Sequence, residues 1–191
     1  RTTLGCMTLS GMLSLSGYAT TTFMPSFLEM KGMHGVSMYS SMLISSVSQV
    51  PGILLALWAG ARFGRLWPIY SSLMLQALAL ITFAFVGSDS LLIFSSCLAS
   101  CFLEFGWALC HVYVPEAFPT EIRGCAQGVV SGFGSCAALC TPLLTAWLLH
   151  ASSPGPAVAV FAVILALGSI AISSLLHIET LGRDLSDSAV H

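Results

Sequence analysis

The sequence predicts an all-α membrane protein, a polytopic bundle of six transmembrane helices, and two observations carry that prediction. Hydrophobic residues make up 56% of the 191 and charged residues only 7%, whereas a soluble domain carries about a quarter charged residues. Six Lys+Arg and eight Asp+Glu cannot furnish a water-facing surface for a chain of this length, so the apolar excess faces lipid. In addition, apolar stretches of about 20 residues with at most one charge, the length a helix needs to cross hydrocarbon, recur six times along the chain.

The first span is expected over 3–28, closed by Glu29 and Lys31, and the second over 36–61, closed by Arg62 and Arg65. A third covers 66–86 and stops at Gly87, Ser88 and Asp89. The fourth, 91–114, holds one carboxylate, Glu104, near its middle. Between Gly124 and Ile178 the uncharged tract must contain two spans, because Ser152, Ser153, Pro154, Gly155 and Pro156 supply a turn inside it. Residues 1–180 thus form one six-helix domain and 181–191 a short tail. The start at Arg1 reads as a cut or missing end, since no initiator Met or signal-peptide pattern is present. Alternation of the loops places Arg1, Arg62, Arg65, Arg123 and Arg183 on one side and only Lys31 on the other. By the positive-inside rule both ends are then cytoplasmic.

Composition also narrows the function classes. A net charge of −2 with thinly spread Lys and Arg offers no basic patch, so nucleic acid is not an expected partner. Seven cysteines without a Cys-x-x-Cys pair suggest small helix residues rather than a disulfide framework or a zinc site, and no metal or cofactor is expected. The expected partners are a small-molecule solute and the lipid bilayer.

Among single residues, Glu104 stands out, because an ionisable group in mid-span usually faces a cavity or a partner. With Cys97, Cys101 and His111 it falls on an arc of roughly 80° of the fourth span at 100° per residue. Two readings stay open: a proton or cation site, or a carboxylate satisfied by neighbouring helices. The second span carries a polar stripe of Ser41, Ser45, Ser48, Gln49 and Gly52, with Pro51 interrupting its hydrogen-bond ladder. That stripe either lines a cavity or bonds within its own helix. Ser14, Tyr18 and Thr21 of the first span pose the same choice. Glu104, His111, Gln49, Ser45, Trp107 and Tyr18 are therefore the candidate substrate or proton residues. In the fifth span Gly124, Gly128, Gly132, Cys136 and Cys140 recur every fourth residue and read as a packing seam. The glycines around Ser131 and Ser135 do not form a nucleophile elbow, since no strand precedes them.

The loops hold the most specific patterns. Between spans four and five runs Tyr113-Val114-Pro115-Glu116-Ala117-Phe118-Pro119-Thr120-Glu121-Ile122-Arg123-Gly124. This resembles the corresponding loop of sugar porters and of synaptic-vesicle-glycoprotein-2-like and organic-ion transporters in the major facilitator superfamily. Ile178-Glu179-Thr180-Leu181-Gly182-Arg183 is similar to the motif that closes many of those proteins, with Ile178 in place of a Pro. Arg62-Phe63-Gly64-Arg65 resembles the core of the superfamily's Asp-Arg-x-Gly-Arg loop, with Ala61 where the Asp would stand and Leu57 where a Gly would. Glu104-Phe105-Gly106 looks like part of a sugar-porter motif, but its distance to Glu116 is one residue short and sugar specificity is not supported.

The resemblance implies the carboxy-terminal half of a twelve-helix transporter that works by alternating access with an amino-terminal half. It also implies an intracellular gate built from Arg62, Arg65, Glu116, Arg123 and Glu179. Secondary active or facilitated transport of a small organic solute, an organic ion or a sugar-like molecule, is the expected function. A non-transporting, truncated or sensor-like relative is the alternative, and an intramembrane enzyme a remote one, since no His-Glu-x-x-His or paired Asp lies within a span.

Overall fold

The computed structural model describes residues 2–30, 32, 35–151 and 154–176. Among these the chain forms seven helices and no strand: α1 (Thr2–Met30), α2 (Val36–Val47), α3 (Gln49–Phe63), α4 (Leu66–Phe85), α5 (Asp89–Glu116), α6 (Arg123–Ala151) and α7 (Pro154–Leu175). The expected tail at 181–191 and the charges at Arg1, Lys31, Glu179 and Arg183 lie outside the described residues. Among the described residues five stretches are long and apolar enough to cross a membrane: Ser37–Phe63, which takes in α2 and α3, Leu66–Phe85, Asp89–Glu116, Arg123–His150 and Gly155–Leu175. At 29 residues α1 has the length, but its many Thr, Ser and Gly residues keep it below the same hydropathy.

Six spans were expected, with Pro51 interrupting the second, and it is there that the chain forms two helices, α2 and α3, in place of one. Pro51 has no N–H to offer the carbonyl of Val47, and its ring crowds that turn. The helix accordingly breaks at Ser48, which has φ −67° and ψ −12°. Ser48 Oγ lies 2.6 Å from the carbonyl oxygen of Ser45 and 2.9 Å from that of Cys97, so the break is fastened to α5. At the other end of α3 the chain reverses into α4 through Gly64 and Arg65 alone. Gly64 takes φ +87°, a left-handed value that glycine adopts without steric cost.

The bundle is built around α5, which packs against α3, α4, α1 and α2, while α4 lies between α5 and α7 and α1 between α6 and α7. Leu9 and Leu13 of α1, Ile69 and Leu73 of α4, Leu103 and Tyr113 of α5, and Leu165 and Ile172 of α7 are fully buried where these helices meet. Hydroxyls in the interior donate back to their own helices, as Ser72 does to Ile69 (2.7 Å), Ser96 to Leu92 (2.8 Å) and Thr20 to Ser16 (2.6 Å). This satisfies them where no water is at hand. Between helices, Gln76 Nε2 of α4 donates to Ser16 Oγ of α1 at 3.2 Å, and Tyr70 Oη to the carbonyl of Leu176 at 2.8 Å.

Glycines set the closest approaches. A Cβ at Gly52 would overlap the carbonyl oxygen of Cys101, so α3 and α5 meet there backbone to backbone. At Gly134 a Cβ would collide with Ser10 Oγ, which fixes the α1–α6 contact. By contrast, Gly124, Gly128 and Gly132 of the expected packing seam have nothing within 4 Å of such a Cβ, and Cys136 and Cys140 are exposed. No described helix fills that seam.

Gly52→Val should therefore lower the thermal midpoint of the detergent-solubilised protein by the equivalent of about 1–3 kcal/mol. Gly87→Ala, where the added carbon meets nothing within 4 Å, should leave the midpoint where it is. A circular-dichroism melt of the two variants beside the parent checks both.

Candidate functional site

A cavity of about 920 Å³ opens between α1, α3, α5 and α6. About two turns of α5 supply one wall. Glu104, Trp107, Ala108 and His111 line it because spacings of three and four residues return to one helix face. The Trp107 and His111 rings stack with centroids 5.3 Å apart and planes 21° from parallel, which stiffens both. Opposite, α1 presents Ser10, Ser14 and Tyr18 at intervals of four, and α6 presents Ser131 and Ser135, with Ala138, Leu139 and Pro142 below them. Ile53 completes the lining from α3.

The Glu104 carboxylate is half-buried, and no described residue lies within hydrogen-bonding or ion-pairing distance of it. Among the described residues no Lys or Arg lines the cavity. The polar groups facing the space are hydroxyls, an indole, an imidazole and this carboxylate. Such a set can accept hydrogen bonds from a solute, stack on a planar group and offset a positive charge. Among the described residues no group of three or more His, Cys, Asp or Glu could hold a metal ion.

Of the residues singled out in the sequence, Glu104, His111, Trp107 and Tyr18 meet at this cavity, and Ser45 and Gln49 do not line it. Ser45 is buried against α5 with its Oγ 3.8 Å from Cys97 Sγ, and Ser41 donates to the carbonyl of Ser37 at 2.7 Å. Gln49 follows directly on the break at Ser48. Ser10, Ser131 and Ser135 line the cavity without having been singled out for it. The signal existed, since Ser10, Ser14 and Tyr18 share one face of α1 at a spacing of four, as do Ser131 and Ser135 on α6.

A second polar feature lies at the α3–α4 turn. Arg65 grips Glu116 with both arms of its guanidinium: Nε donates to Oε2 at 3.1 Å and Nη2 to Oε1 at 3.0 Å. The pair links this turn to the last turn of α5, with the two side chains 19% and 27% exposed. Of the other expected gate residues, Arg62 is exposed. Arg123 begins α6 half-buried, with Nε and Nη2 unpartnered among the described residues. Glu179 lies outside the described residues.

A family model described as Major Facilitator Superfamily matches residues 7–188. The chain is 34% identical over 152 residues to the Synaptic vesicle 2-related protein of Xenopus laevis, covering 79% of this chain and 27% of that protein. It is 30% identical over 133 residues to the putative niacin/nicotinamide transporter NiaP of Bacillus subtilis, covering 70% and 33%. With organic cation/carnitine transporter 7 of Arabidopsis thaliana it shares 30% identity over 158 residues, covering 78% and 30%. The chain thus spans about a third of the length of these relatives.

Because the Arg65–Glu116 pair is bidentate but reached by solvent, a double-mutant cycle with Arg65→Gln and Glu116→Gln should yield a coupling of about 1 kcal/mol. Thermal unfolding in detergent measures it. The coupling should shrink when the salt concentration is raised to about 1 M, where the Debye length falls to about 3 Å.

Proposed function

This chain belongs to the Major Facilitator Superfamily, an integral multi-pass membrane family, and from that premise we propose that it is the carboxy-terminal half of a secondary transporter for a small organic solute. The observation that carries the reading is the cavity between α1, α3, α5 and α6, into which Glu104 presents a carboxylate without a partner among the described residues. An intramembrane carboxylate left in that condition marks a solute or ion pathway by default. The names of the relatives support the solute class, since one is a putative niacin/nicotinamide transporter and another an organic cation/carnitine transporter.

In this proposal α1 to α7 amount to six spans, with α2 and α3 as one broken span, arranged as two three-helix units of inverted topology with both chain ends cytoplasmic. The solute sits between this half and an amino-terminal half, either in the same longer chain or separate. Glu104 takes up a proton or the solute's positive charge, the Trp107 and His111 rings stack on its planar part, and Tyr18 and the serines of α1 bond to it. Ser45 and Gln49 act less directly, by shaping the break in the second span.

The intracellular gate is Arg65–Glu116, with Arg62, Arg123 and Glu179 joining it across the halves. Pairs worth about a kilocalorie per mole can be made and broken within a transport cycle. The unpartnered guanidinium nitrogens of Arg123 fit a group that finds its carboxylate in the other half. A second reading, a sensor-like relative that binds solute without moving it, rests on Ala61 and Leu57, which replace the Asp and Gly of the superfamily loop.

Two measurements test the proposal. The native polypeptide in membranes should run well above 20.1 kDa. A band at that mass would leave a half-protein in need of a separate partner. Reconstituted in sealed vesicles, the native polypeptide should take up niacin or a small quaternary ammonium in a pH-dependent manner, and Glu104→Gln should abolish the pH dependence and slow uptake at least about tenfold, equivalent to ~1.4 kcal/mol. PH dependence that survives the substitution would remove Glu104 from the coupling, and binding without uptake would favour the sensor-like reading.

A further inference from the structure

Away from the solute cavity, α3, α4 and α5 enclose a second space of about 440 Å³, lined by Ala59, Phe63, Trp67, Pro68, Ser71 and Phe105. Its position is set by the two-residue turn at Gly64 and Arg65, which joins two membrane-crossing stretches and so stands at a membrane boundary. The groove therefore begins at the edge of the hydrocarbon and runs inward along α4. Ser71, the polar member of the lining apart from the Trp67 indole, donates to the carbonyl of Pro68 at 3.0 Å. That bond leaves the groove apolar to an occupant.

The rim has a different character. Trp58, Phe63 and Trp67 are 57%, 58% and 75% exposed, and the first two meet edge to face at 5.7 Å. Tryptophans with one apolar and one polar edge favour the headgroup level of a bilayer. Arg62 sits between Trp58 and Phe63 in sequence, about 60° around α3 from Ala59 at 100° per residue. It is exposed, and no described carboxylate pairs with it, whereas Arg65 beside it is neutralised by Glu116. One positive charge without a carboxylate partner among the described residues thus flanks an apolar groove at headgroup depth.

We propose that this groove binds an anionic phospholipid, with an acyl chain along Ala59, Pro68 and Phe105 and the phosphate on Arg62. A single occupant has to bring both hydrocarbon and negative charge, and it has to arrive from within the membrane. An anionic lipid does all three, and basic pockets between membrane helices are a recurrent way of holding one. A zwitterionic lipid fits the groove equally well but brings no net charge for Arg62. The groove is separate from the solute cavity and shares only Arg62 with the proposed gate.

Native mass spectrometry of the full-length polypeptide, released from detergent with added phosphatidylglycerol or phosphatidylcholine, tests the site. The parent should retain phosphatidylglycerol in preference. Arg62→Gln should weaken phosphatidylglycerol binding about fivefold, the factor that matches the ~1 kcal/mol attraction of one basic residue to an anionic surface, and leave phosphatidylcholine unchanged. Arg62→Lys should restore most of the loss, and Ser71→Phe, which fills the groove, should reduce retention of both lipids. Equal retention of the two lipids by the parent, or a phosphatidylglycerol affinity indifferent to Arg62→Gln, would overturn the proposal. So would failure of brominated phosphatidylglycerol to quench the part of the fluorescence that Trp67→Phe removes, because another part of the polypeptide would then cover the groove.

Discussion

Hydrocarbon offers no hydrogen bonds, and the rest of this structure follows from that constraint. Each backbone N–H and C=O within the membrane has to find its partner in the chain itself, which the helix does locally. Serine and threonine are admitted on the same terms. Ser72, Ser96 and Thr20 spend their protons on carbonyls three or four residues back, and with that done they are small enough to let neighbouring helices draw near. Since lipid tails compete on equal terms for apolar side chains, close contact is what holds such a bundle together. The approaches at Gly52 and Gly134 are where that contact is tightest.

Against that background the groups left unsatisfied carry the most information. Glu104 is the clearest, because it sits on the same helix whose other faces hold the core through Leu103 and Tyr113. A residue placed there is rigidly aimed. The stack of Trp107 on His111 one and two turns along extends the same wall, so α5 serves both as the bundle's packing centre and as the backbone of the candidate site.

Charge made much of this visible in the sequence. Because so few ionisable residues occur, those present mark the helix ends, and the expected third and fourth spans lie within about two residues of α4 and α5, the usual uncertainty of helix ends. Glu104 and His111 fall on one wall of the cavity because helical spacing fixes their relation within a single helix. What spacing could not provide was the rotation of one helix against another. The stripe from Ser41 to Gly52 has the same periodicity as the α1 stripe, yet Ser45 and Gly52 pack on α5 while Ser10, Ser14 and Tyr18 line the cavity. In α6 the regular seam of Gly124, Gly128 and Gly132 was the conspicuous pattern, but the helix meets α1 through Gly134, a single glycine with no periodicity to announce it. Pro51 pointed to an interruption, and only the contact of Ser48 with Cys97 shows that the interruption is pinned.

The brevity of the α3–α4 turn has a mechanical meaning. With Gly64 and Arg65 as the whole connection, and Arg65 clasped to the foot of α5, the lower end of α3 has almost no slack of its own. At its upper end α3 is separated from α2 by a discontinuity at Ser48. The second span is therefore two segments meeting at a fixed joint: a yoked one, whose displacements α4 and α5 must share, and a shorter one beyond the joint that is held to α5 and α1 by its own packing.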